Sequence, residues 1–319
     1  MAGNESLAAG RIYHSGKKDE GLHLVDLNMY DSSLFANSCI IEDDGILVLL
    51  DAGTSRTAGQ LINYITFHGL PHEEIYIIPS HHHFDHAGGI SILSSKLREI
   101  GARVSIMTND RMAPLLTDLK DAVAPARKQF SRLLGTVADI DKGEIEIIRS
   151  RGTYSLNKHL SIKLLETPGH ADDHVSPVIF KDGVPWTCFF GEAMGINLHK
   201  HLSPLPATAA PSYRKDLYIE SVKKIKKLDV EIGIFSHVGG VVGQERIKNL
   251  CDVAIDKLDE ITKFIQDVHA TGIHSTRGLV KMMLDRYQAY IATCVMDKGV
   301  VRNLAFLIVY GIMMDLGIK

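Results

Sequence analysis

Between Ser80 and Gly89 the chain reads Ser-His-His-His-Phe-Asp-His-Ala-Gly-Gly, which sets histidines and a carboxylate at metal-ligand spacing. His81 and His83 alternate with His82, so on an extended segment they project the same way. Asp85 and His86 follow at once, where the chain turns, and can face a second point a few ångströms away. One pair of imidazoles beside one carboxylate–imidazole pair points to two adjacent metal ions. A chain with 16 His in 319 residues can show such a run by chance. The motif therefore needs support from elsewhere.

That support comes from three further groups, each just after an apolar, strand-like run. Ile75 to Ile78 precedes the histidine cluster, and Ile162, Leu164 and Leu165 lead into Thr167-Pro168-Gly169-His170. Trp186 to Phe190 leads into Gly191-Glu192, and Ile232 to Phe235 into Ser236-His237-Val238-Gly239-Gly240. Ligands on loops at the ends of buried strands are held rigidly, and here they are expected to share one edge of a sheet. A glycine beside each ligand lets the backbone turn close to an ion.

The order His-x-His-x-Asp-His, Pro-Gly-His, an acidic residue after Phe-Gly and a late His before Gly-Gly resembles the metallo-β-lactamase-fold hydrolase superfamily. Asp51-Ala52-Gly53-Thr54, after Ile46 to Leu50, is similar to that family's early Asp-x-Gly element. The likeness covers roughly residues 20–240. The stretch His170-Ala171-Asp172-Asp173-His174 resembles a subgroup that includes the quinolone-signal response thioesterase, with a helical insertion and a helical C-terminus.

This resemblance implies an α/β fold, a four-layer αββα sandwich with a helical insertion and a helical C-terminal extension. His81, His83 and His170 would hold one ion, and Asp85, His86 and His237 the second. Glu192 stands where the family has a bridging aspartate, and its extra methylene moves the carboxylate by about 1.5 Å. It would bridge both ions, bind one only, or favour a metal other than zinc. The implied cofactors are two divalent metal ions, zinc first, with iron or manganese open because ligand type discriminates poorly among them.

Two such cations can deprotonate a bridging water and polarise a carbonyl or phosphoryl oxygen. Asp85 is the expected acid–base residue, orienting the hydroxide and passing a proton to the leaving group. The resemblance thus implies a dinuclear hydrolase of an ester, thioester, lactone or phosphoester of a small molecule. Two alternatives stay open: an iron-dependent oxidoreductase of persulfide dioxygenase or diiron type, and a ligand-binding regulatory protein with little turnover. The tail lacks the Gly-rich pattern of a flavodoxin module, which weighs against a flavodiiron enzyme.

Around the ligands, Asp51 is expected to buttress one of them by hydrogen bonds. His174 has two readings, one behind the ligands or facing substrate, the other a packing or capping role. His199 and His201, in the Pro- and Ala-rich loop after Glu192, and Tyr213 beyond it are candidates for substrate contact. His82 is expected to point away from the metals.

Composition narrows the field. A net charge of −3 and the lack of a long basic block argue against nucleic acid as a partner. Hydrophobic content of 45% in 319 residues fits one large domain or one domain plus an extension; the expected division is a catalytic domain over 1–243, with an insertion at about 111–135, and a helical extension over 244–319. In the insertion, Leu115, Leu119 and Val123 fall on one helical face and Pro125 breaks or kinks it. In the extension, Ile247, Leu250, Ala254, Leu258, Ile261 and Ile265 form one stripe, and Ser275 caps a helix running to about Tyr290. Lys223, Lys224, Lys226 and Lys227 form a solvated face opposite Tyr218, Val222, Ile225 and Leu228.

Cys39, Cys188, Cys251 and Cys294 are scattered in apolar surroundings, as in a cytoplasmic protein with reduced thiols. The N-terminus lacks the design of a signal peptide. Leu304 to Met314 is too short to span a bilayer. It reads as a core helix, with homodimer formation through the helical C-terminal region as its other use. The expected partner is a small-molecule substrate, with no membrane.

Overall fold

The computed structural model describes residues 10–33, 35–70, 73–149, 152–197, 203–288, 291 and 298–319, with backbone alone at 127–129 and 133. The apolar runs read above become strands of two sheets. β1 (Arg11–Ile12) belongs to the second sheet. The first runs, in spatial order, β2 (Gly16–Asp19), β3 (Leu22–Asp26), β4 (Asn37–Asp43), β5 (Ile46–Leu50), β6 (Glu74–Ile78), β7 (Arg103–Thr108) and β8 (Ile145–Ile147). β2 to β5 pair antiparallel and β5 to β8 parallel. Parallel neighbours need crossovers, and α1 (Ala58–His68) and α2 (Ile90–Glu99) supply the first two.

The predicted insertion is three short helices, α3 (Met112–Thr117), α4 (Leu119–Ala122) and α5 (Ala124–Leu134). Its breaks fall at Asp118 and Val123, where the backbone leaves helical geometry or reorients. Pro125 starts the third helix instead of breaking one, because the first turn has no use for its missing N–H. The breaks also rotate the buried face, so Met112, Leu116, Leu119 and Val123 point inward while Leu115 is only half-buried.

The second sheet runs β9 (Tyr154–Ser155), β10 (Leu160–Glu166), β11 (Val175–Lys181), β12 (Val184–Gly191), β13 (Ile232–Phe235), β14 (Gly240–Val242) and back to β1. Its pairs are antiparallel except β12–β13, whose crossover contains α6 (Lys215–Lys226). Tyr218, Val222 and Ile225 are buried, Leu228 is half-buried, and Lys223, Lys224 and Lys227 are exposed. The helical tail comprises α7 (Gln244–Ala270), α8 (Thr276–Arg286) and α9 (Lys298–Asp315). All six residues of the predicted α7 stripe are buried. Ser275 Oγ accepts from Gly278 N at 3.1 Å, capping α8; the expected end near Tyr290 lies outside the described residues. Cys39, Cys188 and Cys251 are buried and free, and Cys294 also lies outside. Among the described residues no helix is long and apolar enough to cross a membrane.

One expectation needs correction. The ligand loops do not share one edge of a single sheet. Asp51 and the histidine cluster follow β5 and β6 of the first sheet, whereas His170, Glu192 and His237 follow β10, β12 and β13 of the second. The centre is assembled where the strand ends of the two sheets meet.

Candidate metal centre

The segment after β6 is a turn, not an extended strand: the N–H groups of His86 and Ala87 both donate to His83 O. His81 and His83 nevertheless converge, because they use different ring nitrogens. Nε2 of His81 lies 2.9 Å from Nδ1 of His83. Nε2 of His170 is 3.1 Å from each of those atoms. A tetrahedral ion with bonds of 2.0–2.1 Å spaces its nitrogens by about 3.4 Å, so this triangle is slightly contracted around one point. Asp85, His86 and His237 form the adjacent group, with the Asp85 carboxylate 3.6 Å from His86 Nε2 and 3.9 Å from His237 Nε2.

The Glu192 carboxylate stands between the two groups. Its Oε2 is 2.6 Å from His170 Nε2, 3.4 Å from His81 Nε2 and 3.6 Å from His86 Nε2. Its Oε1 is 3.5 Å from His237 Nε2. Gly191 makes this placement achievable: its φ is +58°, and a Cβ there would fall 2.5 Å from His174 Nε2.

The far nitrogens of His81, His86, His170 and His237 are tied off, which aims the near ones inward. His170 Nδ1 donates to Ala207 O at 3.1 Å, and His237 Nδ1 to Phe35 O at 2.7 Å. His81 Nδ1 lies 3.0 Å from Ser80 Oγ. Asp51 Oδ2 is 2.6 Å from His86 Nδ1 and also accepts from Ser236 Oγ at 2.9 Å and Ser80 Oγ at 3.1 Å. Its Oδ1 accepts from Ser80 N at 2.6 Å.

Charge follows burial and neighbours. Burial, reinforced by the neighbouring imidazoles, holds His81 and His83 well below the usual histidine pKa. Burial also opposes charge on His86 and His170, but the carboxylates of Asp85 and Asp51 raise the former and Glu192 raises the latter. Glu192, in turn, is held well below the ordinary carboxylate range: burial works against its charge, and His170 and the other rings outweigh burial. Asp51 is lowered in the same way, with burial opposed by His86 and the Ser80 and Ser236 donors.

The donor set fits metal ions. Nitrogen and carboxylate ligands of this kind suit first-row divalent cations. The clearest sign is His86 Nε2, which is buried in the middle of the cluster with no hydrogen-bond partner. A buried polar atom left without a partner costs free energy, and a cation between His86, His237 and Asp85 would satisfy it.

The remaining sequence candidates fall in different places. His174 does not face the cluster: its Nδ1 is 2.9 Å from Thr167 Oγ1, and its Nε2 accepts from Glu192 N at 3.1 Å. Burial presses its pKa down to about 3, which keeps the ring neutral and able to accept. It anchors the backbone of Glu192. His82 pairs with Asp173 at 2.9 Å, away from the ligand nitrogens. Tyr213 is buried near Tyr218, with ring centroids 6.2 Å apart, and is not part of the cavity wall over the metal ligands. His199 and His201 lie outside the described residues.

Several functional neighbours were not singled out in the sequence. Ser80 and Ser236 each precede a ligand histidine and both bond Asp51; the repeated Ser-His at two strand ends was the available signal. Asn197 donates to Val238 O at 2.9 Å, supporting a β-branched residue at φ +58° directly after His237. The carbonyls of Phe35 and Ala207 carried no signal at all. Above the ligands opens a cavity of about 370 Å³, floored by His83, Asp85, His170, Glu192 and His237. Its walls come from Tyr30 and Phe35, from Phe84, from Val123 and Phe130 of the insertion, and from Leu304, Leu307 and Ile308 of α9.

The family model described as the metallo-beta-lactamase superfamily matches residues 33–237. Among curated proteins none matches the sequence. Solved structures are similar in fold. A beta-lactamase domain protein from Burkholderia ambifaria has a TM-score of 0.64 at 14% identity, covering 98% of this chain and 94% of that one. An archaeal metallo-beta-lactamase superfamily protein from Sulfolobus tokodaii has a TM-score of 0.57 at 21% identity, covering 75% of this chain and 86% of that one. A B3 metallo-beta-lactamase with an active-site glutamic acid gives 0.55 at 18% identity, covering 79% and 89%.

Proposed function

Because the chain belongs to the metallo-beta-lactamase superfamily, we propose that it is a metal-dependent hydrolase holding two divalent ions, zinc first. It cleaves an ester, thioester, lactone or phosphoester bond of a small molecule. The observation that carries this reading is the Glu192 carboxylate between two ligand groups, beside the unpartnered His86 Nε2. His81, His83 and His170 would hold one ion, Asp85, His86 and His237 the other, and Glu192 would offer an oxygen to each.

Bound there, such ions supply Lewis acidity, acidifying water and polarising the oxygen of the scissile group. The chain's own residues do the rest. Asp85 lines the cavity floor and is half-buried, so its carboxylate can take a proton from the attacking water and return it to the leaving group. The Phe35 and Ala207 carbonyls and the Asp51 carboxylate fix the ligand rings before substrate arrives. Phe84 and Phe130, rings 5.4 Å apart, keep one wall dry.

Elemental mass spectrometry of protein purified without chelator should give two ions per chain, and a chelator should abolish hydrolysis. His83→Ala and Asp85→Asn should each lower kcat at least about 100-fold. Turnover that survives metal removal would sink the reading. Iron with oxygen consumption would favour the oxidoreductase instead.

A further inference from the structure

We propose that the substrate carries an uncharged, apolar acyl group of medium length, seated between the Phe84–Phe130 ring pair and the α9 residues Leu304, Leu307 and Ile308. This rests on the hydrolase reading and deepens it by naming the substrate class.

The cavity begins at the ligands and runs outward between apolar walls. One wall is continuous with the centre itself: Phe84 stands between His83 and Asp85 in the chain, and its ring meets that of Phe130 at 5.4 Å and 31°. The facing wall is a single stripe, since Leu304, Leu307 and Ile308 are spaced three and four apart along one helix. Leu304 and Leu307 are only half-buried although they face the interior cavity, so part of their apolar surface is free to receive a ligand. Behind the floor, the Phe35 ring lies 5.1 Å from that of His237, extending the apolar surface to the second ligand group.

Charge points the same way. Asp85 and Glu192 are engaged by the ions of the proposed centre, and beyond them no Lys or Arg stands among the described lining residues. An anionic arm would be desolvated there without a described counter-charge, which is costly. Apolar carbon, by contrast, gains from contact with every one of these side chains. The volume of about 370 Å³ falls at the lower end of small-molecule sites, which selects a medium chain over a long lipid.

The test uses the protein with the metal it carries after purification and a series of p-nitrophenyl esters from acetate to hexadecanoate. Each buried methylene should raise kcat/KM about fourfold, until the cavity fills and the rise stops. Bis(p-nitrophenyl) phosphate should be cleaved at least about 100-fold more slowly than the best ester. Leu307→Trp should reduce the octanoate-to-acetate ratio of kcat/KM at least about tenfold, and Leu307→Ala should move the optimum to longer chains. Decan-2-one, which cannot be hydrolysed, gives a reading independent of catalysis: saturation-transfer NMR should detect its binding, and Leu307→Trp should weaken it.

A flat chain-length profile with a ratio unmoved by Leu307→Trp overturns this inference and leaves the hydrolase reading intact. A preference for the phosphodiester overturns it too. Decan-2-one binding that depends on Leu307, with no ester, thioester, lactone or phosphodiester cleaved, supports the apolar seat and overturns the hydrolase reading. No binding and no hydrolysis overturns both.

Discussion

Asp51 combines three properties a residue rarely holds together: it is acidic, 1% exposed, and a non-glycine at φ +62°. Among its contacts is the 2.6 Å approach to His86 Nδ1. Removing the carboxylate in Asp51→Ala frees that ring to rotate and leaves the Ser80 and Ser236 hydroxyls without their acceptor. Metal affinity should fall about 10–100-fold while both ligand sets remain intact; competition with a chromogenic chelator measures this. The same residue governs proton bookkeeping. In the metal-free protein the pKa of His86 is raised well above 6.5, its burial outweighed by Asp85 and Asp51, and that of His170 is raised by Glu192. His86 is therefore held in its protonated form, His170 is pulled the same way, and an ion must displace those protons. Loading at pH 7 should release protons, and apparent affinity should rise with pH through the neutral range. His81 and His83, pressed below 6.5, are already neutral and release none. Calorimetry in buffers of different ionisation enthalpy reads the proton count, and zero release would refute the assignment.

Among the elements, α9 reaches the metal site without contributing a ligand. A Cβ on Gly311 would fall 1.9 Å from Thr208 O, and Thr208 Oγ1 donates to Ile308 O at 2.9 Å. Next to Thr208 is Ala207, whose carbonyl holds His170 Nδ1. Gly311→Ala should therefore push the loop off the helix, loosen His170 and weaken metal binding several-fold, although alanine is the better helix former by about 1 kcal/mol. Gly59 in α1 has nothing within 4 Å of its would-be Cβ. Gly59→Ala should keep metal affinity unchanged and raise stability by up to about 1 kcal/mol, a contrast that thermal melts and metal titration together would check.

These elements also mark what was legible in the sequence. The strands were readable because runs such as Ile46 to Leu50 are apolar without interruption, and the ligands because each follows such a run. The rotated face of the insertion was not, since a one-residue shift from Leu115 to Leu116 depends on where the helix breaks. The carbonyl supports at Phe35 and Ala207 were invisible for a physical reason: a backbone oxygen is present at every position and only the fold selects which one meets a ring. The same holds for Leu304 and Phe130, which line one cavity from positions far apart in the chain and so leave no local pattern.

For the molecule as a whole, the centre ties two sheets together. The histidine loop comes from the first sheet, and His170, Glu192 and His237 come from the second. Ions that bind only the folded chain stabilise it by mass action, about 2.7 kcal/mol for each ion at 100 times Kd. Stripping metal should then lower the thermal midpoint by roughly 5–10 °C, and calorimetric scans before and after chelation would read it; an unchanged midpoint would mean the ions do not link the sheets. The order in which the chain is made gives the architecture a schedule. The last ligand, His237, leaves the ribosome well before Leu304 and Leu307 of α9, an interval of several seconds at 5–20 residues per second. During that interval the site has all its ligands but not yet its roof. Metal delivery to the nascent chain therefore meets an open bowl, and the selectivity for substrate is the last property the protein acquires.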